Sequence, residues 1–447
     1  PGREAAPPVG RGGRARGEAI APNSLRRRMS SQRTALTTGV RRIVAARAAM
    51  TASRAAAGVL VPIYLAKVGF SGLHLGLLFG AVALVSAALA TAIGLLADRV
   101  GRKPFLVALP LTTAGAAMGF ALTRNAGILL ALAAVGTFGR GAGAGPGIPG
   151  PYYPAEQALV TDLTAPAERN RAFARLGSAS ALGSLIGGLL AALPRLGRLA
   201  GLGALAAYRP AFLAAAAAAA VAGLIVVPVA DRQWGTGAAT GGGGSRLRIP
   251  RRSLPLLYRL WAVNTLNGVG IGLFGPFITY WFYRRFGAGP ATVGLLFALI
   301  NGATVVTNLT AAGWARRLGL VRVVVVARAL QALLLVPLVL APTFWVAGGV
   351  YLLRSVVQRI GLPLRQSYTV AMAHPDERAG VAGLASVPTQ LAATGTPVAG
   401  GYVFDVVGLA LPFELGAFFQ LANAVLFAVF FSARPPPEET GAEPAPP

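Results

Sequence analysis

Arginine is the residue type with the most chemistry to offer in this chain. Arg54, Arg140 and Arg354 stand well inside long apolar stretches, with Arg359 in the same stretch as Arg354. A guanidinium at the middle of a bilayer costs at least about 2.5–3.5 kcal/mol and marks function by default. Its planar fork can hold a carboxylate or phosphate through two parallel hydrogen bonds, and a dry cavity strengthens that attraction. Carboxylates at the same depth are scarce, because Glu156, Asp405 and Glu414 all fall near the ends of their stretches. Three such arginines in one cavity would attract an anion and repel a cation. Two rival roles stay open: Arg140 acting only in proton coupling, and arginines bonded to freed backbone carbonyls. Arg47 and Arg259, nearer stretch ends, are expected to snorkel to water. Asn264, Asn267, Asn301 and Asn308 add polar groups, with helix packing as the competing role.

Other chemistries find little here. There is no cysteine, and His74 and His374 are far apart beside expected helix ends, so neither a thiol site nor a metal site is expected. No Ser–His–Asp arrangement is visible, and no nucleotide-binding fingerprint points to ATP use. An enzyme is therefore not expected, and no cofactor is implied. The formal charge of +27 does not mark a nucleic-acid binder. Only Lys67 and Lys103 are lysines, and the arginines are spread along loops, whereas a nucleic-acid footprint is a patch or stripe.

The arginines must be carried by membrane spans. Of 447 residues, 55% are hydrophobic and only 12% charged, with a mean hydropathy of +0.62. A soluble globule could not cover its apolar surface with so few charges. Apolar stretches fall at 43–65, 73–96, 104–123, 127–147, 170–193, 204–229, 256–282, 291–314, 321–341, 343–363, 379–403 and 408–431. Each is long enough to cross about 30 Å of hydrocarbon. Residues 1–40 read as a disordered basic tail in which Met29 is a candidate start, and 433–447 as a disordered C-terminal tail. Between spans 6 and 7, residues 231–255 form a linker that contains Gly241–Gly244 and Arg246, Arg248, Arg251 and Arg252. It separates a bundle at 41–230 from one at 256–432. Loops on the linker's side hold roughly three times the Lys and Arg of the other side. By the positive-inside rule, the linker and both termini are cytoplasmic.

The most specific motif is Gly94–Lys103, GLLADRVGRK, between spans 2 and 3. Gly94 permits close helix contact, Asp98 and Arg99 carry opposite charges at the membrane edge, and Gly101 makes the turn before Arg102 and Lys103. This segment resembles the loop signature of the major facilitator superfamily, G-x-x-x-D-R-x-G-R-K, at every defining position. The resemblance covers about residues 41–432. It implies an all-α integral membrane fold of twelve transmembrane helices arranged as two pseudo-symmetric six-helix bundles. It also implies that helices 1, 4, 7 and 10 line the central cavity, and that the motif latches one gate. Glu156 and Asp162 are its candidate gate partners.

Internal repetition agrees. PAEQ (Pro154–Gln157) and PAER (Pro166–Arg169) recur as PLRQ (Pro363–Gln366) and PDER (Pro375–Arg378), with the same interval inside each pair. Ala312–Leu320, AGWARRLGL, is a worn copy of the gate loop that has lost its aspartate. Gly183–Gly188 (GSLIGG) and Thr396–Gly401 (TPVAGG) resemble the end of an antiporter motif, though Ser184 replaces its proline while Pro397 is kept. Gly183, Gly187, Gly188, Gly400 and Gly401 would serve close helix packing at least as well as efflux. Arg140 sits where the superfamily has R-x-x-Q-G, but the glutamine is missing. GPGIPGPYYP (Gly145–Pro154) cannot be continuous helix. It reads either as a hinge facing substrate or as an insertion at the mouth.

These features together predict a monomeric, multi-pass cell-membrane transporter that moves a small solute by alternating access. Proton- or exchange-coupled efflux is the first reading. Its alternatives are uptake or exchange of a small organic anion and, from another class, a transport-dead sensor or scaffold. Lipid, a small-molecule substrate and protons are the expected partners. The arginine bias generates a direct check: reporter fusions at Gly241 and Gly441 should both report the cytoplasmic side. Activity of an outside-only reporter at either position would overturn the topology.

Overall fold

In a computed structural model, residues 2, 22–139, 150–164, 168–229, 251–303, 319–374 and 377–432 are described, those at 22–37 by their backbone alone. Among them only helices and turns occur. The first half comprises α1 (Pro22–Val68), α2 (Gly72–Val100), α3 (Lys103–Leu122), α4 (Ala126–Val135), α5 (Tyr152–Leu163), α6 (Arg169–Leu190), the short α7 (Leu193–Leu199) and α8 (Arg209–Val226). In the second half follow α9 (Leu254–Phe274), α10 (Ile278–Phe286), α11 (Pro290–Ala303), α12 (Leu320–Leu333) and α13 (Leu335–Leu340). The chain ends with α14 (Phe344–Ala371), α15 (Arg378–Leu384), α16 (Val387–Val406) and α17 (Leu411–Phe431). Seven segments among the described residues are long and apolar enough to cross a membrane, and α4 and α11 are shorter apolar helices. Spans 4, 7, 9 and 11 are each divided between two helices, which brings the arrangement to twelve crossings.

Local chemistry sets these boundaries. Ser71 and Asn125 cap α2 and α4 by accepting from the N–H groups of His74 and Ile128. Prolines occupy the first turns of α3, α8, α9, α16 and α17, where a missing N–H removes no helical bond. Pro337 cannot donate and crowds the carbonyl four residues earlier, which accounts for the division of span 9 at Leu334. Pro388 similarly follows the break between α15 and α16.

Several boundaries differ from the sequence reading. Helix α1 begins at Pro22 and so takes in residues assigned to a disordered tail; from Ser24 to Thr38 no Gly or Pro interrupts the run. Span 4 stops at Val135, well before the prolines, because Thr137 and Gly139 take positive φ values of 47° and 82°. The GPGIPG stretch itself lies outside the described residues up to Gly150. Span 10 runs on to Ala371, which puts PLRQ inside a helix.

The two halves share the repeat in their backbone. Gly101 (φ 92°) and Gly319 (φ 82°) make the turns into α3 and α12. Glu168 (φ −101°, ψ −7°) and Glu377 (φ −112°, ψ 0°) stand before α6 and α15 in matching conformation.

Packing divides into three cores. Near the Gly101 turn each half has its own, one around Ile43, Ile93, Leu106 and Leu159, the other around Leu257, Val324, Tyr368 and Phe427. At the opposite end one large core runs through both halves and includes Tyr64, Phe79, Phe212, Phe277, Trp281 and Phe413. Phe79 of α2 meets Phe277 across the halves edge-on, ring centroids 5.2 Å apart.

Small residues allow the close approaches. A methyl at Gly183 would run into the Ala48 carbonyl of α1, and one at Gly187 into that of Ala52; Gly188 lies against Gly294 of the other half. Gly400 packs on Leu273 and Gly401 on Gly72. Gly183→Val should therefore destabilise the protein by about 1–3 kcal/mol. Gly177→Val on the same helix, with no neighbour within 4 Å, is the control and should change stability little. Thermal unfolding in detergent measures both; equal melting points for the two variants would contradict this packing.

Candidate functional site

Seven residues separate Arg47 from Arg54 on α1, two helical turns, so both project from one face. Arg47 is expected to reach water, yet its guanidinium grips Glu156 of α5 with two bonds, Nε donating to Oε1 at 2.9 Å and Nη2 to Oε2. The Glu156 side chain is 0% exposed and that of Arg47 only 15%. The Tyr153 ring stacks on the guanidinium, 5.0 Å to its centroid. A buried carboxylate retains its charge only beside such a partner. Among the described residues Glu156 is thereby occupied by Arg47 inside the first half.

Arg54 is different. It is half-buried, and among the described residues nothing forms a hydrogen bond or ion pair with it. Gly150, where the chain re-enters before α5, lies against the guanidinium so closely that any side chain there would collide with it. The glycine leaves room for that cation to be held and still be reached. Arg140 lies outside the described residues, so its relation to Arg54 is not part of this geometry.

Arg354 does not join Arg54. It is 2% exposed and buried inside the second half, where Nη2 donates to Gln420 Oε1 of α17 at 3.1 Å. Its guanidinium lies 4.9 Å from the Phe274 ring of α9. The expectation of three arginines in one cavity is corrected to this extent: Arg354 is turned to Gln420 and Phe274 within one bundle, where its Nε is buried without a partner among the described residues. Asn264 is likewise buried and engaged: its amide donates to the Ala385 carbonyl at 2.6 Å, and its oxygen accepts from Arg365 Nη1 at 2.7 Å. Asn267 is half-buried and forms no side-chain hydrogen bond among the described residues. Arg359 reaches Asn301 Oδ1 at 3.4 Å; Asn308 lies outside the described residues.

Four inward polar residues escaped sequence reading: Arg328, Gln420 and Asn423, which are buried, and Arg365, which is half-buried. Arg328 is 6% exposed and lies over the Phe427 ring at 5.3 Å. Asn423 donates to the Val263 carbonyl. The signal for Arg365 was present, since Glu156 and Arg365 hold the same third position in PAEQ and PLRQ. One half ties its first and fourth spans by Arg47–Glu156, the other its seventh and tenth by Asn264–Arg365.

At the gate motif, Gly101 makes its left-handed turn and Arg102 bonds Asp162 at the end of α5. Lys103 opens α3. Gly94, Asp98 and Arg99 belong to α2, but their side chains fall outside what is described. Arg102–Asp162 fastens two loops of the same half, and does not cross to the other.

The Arg47–Glu156 pair generates a stability prediction. Glu156→Gln should cost about 3–5 kcal/mol by leaving a buried guanidinium uncompensated. Replacing both residues by methionine should recover most of that loss without restoring transport. Chemical denaturation of the single and double variants measures this, and additive losses would show that the residues do not act as a pair.

Comparisons with known proteins complete the site. The sequence pattern of the Major Facilitator Superfamily matches residues 43–255 and 260–446. A search of curated proteins returns no match. Among solved structures, the nucleoside transporter NupG is similar with a TM-score of 0.67 at 12% identity, over 88% of this chain and 99% of that one. A bacterial homologue of the human lysosomal transporter Spinster, inward-facing and occupied, gives 0.63 at 15% identity over 91% and 98%. The human organic anion transporter MFSD10 (TETRAN) gives 0.53 at 20% identity over 87% and 99%. At these identities the likeness is one of fold. A family pattern matched across both six-helix halves, on a fold shared with transporters, places this chain in the Major Facilitator Superfamily as a multi-pass membrane transporter.

Proposed function

We propose that this transporter carries a small organic anion across the cell membrane by alternating access, coupled to exchange or to protons. The observation that carries the reading is Arg54. A half-buried guanidinium, packed against Gly150 and without a carboxylate partner among the described residues, is a ready fork for a substrate carboxylate or phosphate. Glu156 does not neutralise it, being spent on Arg47. Arg47, paired with that carboxylate, adds no net charge, so Arg54 is the cation left to an anionic substrate on this face of α1. The arginine bias assigns the Gly101 end to the cytoplasm. With that orientation, separate cores at the Gly101 end and a shared core at the other describe a carrier open to the inside.

A second reading, proton-coupled efflux, draws on Glu156, a buried carboxylate that can hold a proton once Arg47 is drawn away. The glycines of GSLIGG and TPVAGG lend that direction no support of their own, because backbone packing accounts for them. Both readings use one site and one cycle, and the substrate's charge separates them.

Uptake by proteoliposomes of a panel of organic anions and lipophilic cations tests the anion reading. Arg54→Lys keeps the charge but loses the fork, so the apparent KM for the preferred anion should rise about tenfold or more. Arg54→Ala should lose nearly all transport. Robust transport of a lipophilic cation that is indifferent to Arg54→Ala would instead make the protein a drug carrier.

A further inference from the structure

Helices α2 and α16 form a glycine-lined seam between the halves, and its last contact is made by a charge. Gly72, Gly76 and Gly80, four residues apart on α2, face Gly401, Pro397 and Thr394 of α16 with backbones touching. Just beyond Gly401, the carboxylate of Asp405 accepts from the N–H groups of Gly72 and Leu73, Oδ1 and Oδ2 each at 2.7 Å. These are the first two residues of α2, whose N–H groups have no partner within their own helix. Ser71 caps only the third position, through the His74 N–H. One half thus completes the helix terminus of the other, with a negative charge at the positive end of the helix dipole.

We propose that Asp405 is the latch of the gate at the end opposite the Gly101 turn, a positioning residue that weights the transport cycle toward closure there. The inference rests on the alternating-access reading but not on the identity of the substrate. Parting the halves at this end returns two N–H groups and a carboxylate to water and undoes the glycine seam. Without the carboxylate, closure retains only the apolar packing. The seam does not continue along all of α2. Thr91 lies eleven residues beyond Gly80 on the same face and is exposed, as expected where the halves have separate cores.

The natural chain has no cysteine, so single cysteines can be read without background. Val398→Cys, which touches Gly80 across the seam, reports opening at the Asp405 end. Thr91→Cys reports the other. Purified full-length protein in lipid nanodiscs, treated with a water-soluble maleimide, exposes both ends at once and needs no substrate. Asp405→Ala should raise labelling at Val398→Cys about threefold to tenfold and lower it at Thr91→Cys. Asp405→Asn should fall between, and Asp405→Glu should restore most of the wild-type ratio. A residue that merely supports the fold would raise labelling at both ends when removed. That outcome, or unchanged labelling at both, overturns the latch. An anion panel that fails while the reciprocal shift appears would sink the substrate reading and leave the latch standing.

Discussion

Among the described residues the two halves share a hydrophobic core at one end only, and the rest of the structure answers to that. Phe79 on Phe277, Gly188 on Gly294 and the α2–α16 glycine seam join the halves opposite the Gly101 turn. At the Gly101 end each half closes on its own core. Lipid offers no hydrophobic gain for joining helices, so association depends on close packing and on polar bonds. Small residues can supply such packing along a seam that must also part. Large side chains also interlock within one half, as in the Tyr64, Phe120, Tyr208 and Phe212 cluster.

That division explains which polar groups are fixed and which are free. Bonds inside a half persist through a rocking motion, and the buried charges are found there: Arg47 with Glu156, Arg354 with Gln420, Arg365 with Asn264. These keep each bundle rigid. Across the halves the bonds are few, and Asp405 on the α2 terminus is formed at the surface end, where water can replace it. Arg54 belongs to neither group, since it is held in place by Gly150 and still lacks an anion.

Much of the fold was legible because hydrocarbon imposes length and hydropathy on every span, and the loop motif fixed the family. What misled was proline and glycine chemistry at membrane depth. Span 4 ends at the left-handed Thr137 and not at the conspicuous prolines, since a single positive φ suffices to stop a helix. PLRQ, by contrast, lies inside α14 despite its proline. The site was harder to read. Midplane position alone could not distinguish Arg354, turned to a glutamine 66 residues away, from Arg54, which has no hydrogen-bond partner among the described residues. Nor could it show that Arg47 would be drawn inward by Glu156, 109 residues distant. Partners so remote in sequence leave no local pattern.

The repeat carries one further consequence. At a shared position of the repeat the first half places Glu156 and the second Arg365, so the two halves carry opposite charges there. In the first half the carboxylate answers a guanidinium, and that pair adds no net charge to its bundle. In the second, Arg365 meets only the neutral Asn264, and its charge remains. Each half thus keeps a guanidinium that no carboxylate among the described residues answers, Arg54 in the first and Arg365 in the second. Under the anion reading proposed above, a substrate carboxylate at Arg54 would supply the charge that the protein withholds there, so the substrate's charge and its occupancy of the site become the same interaction.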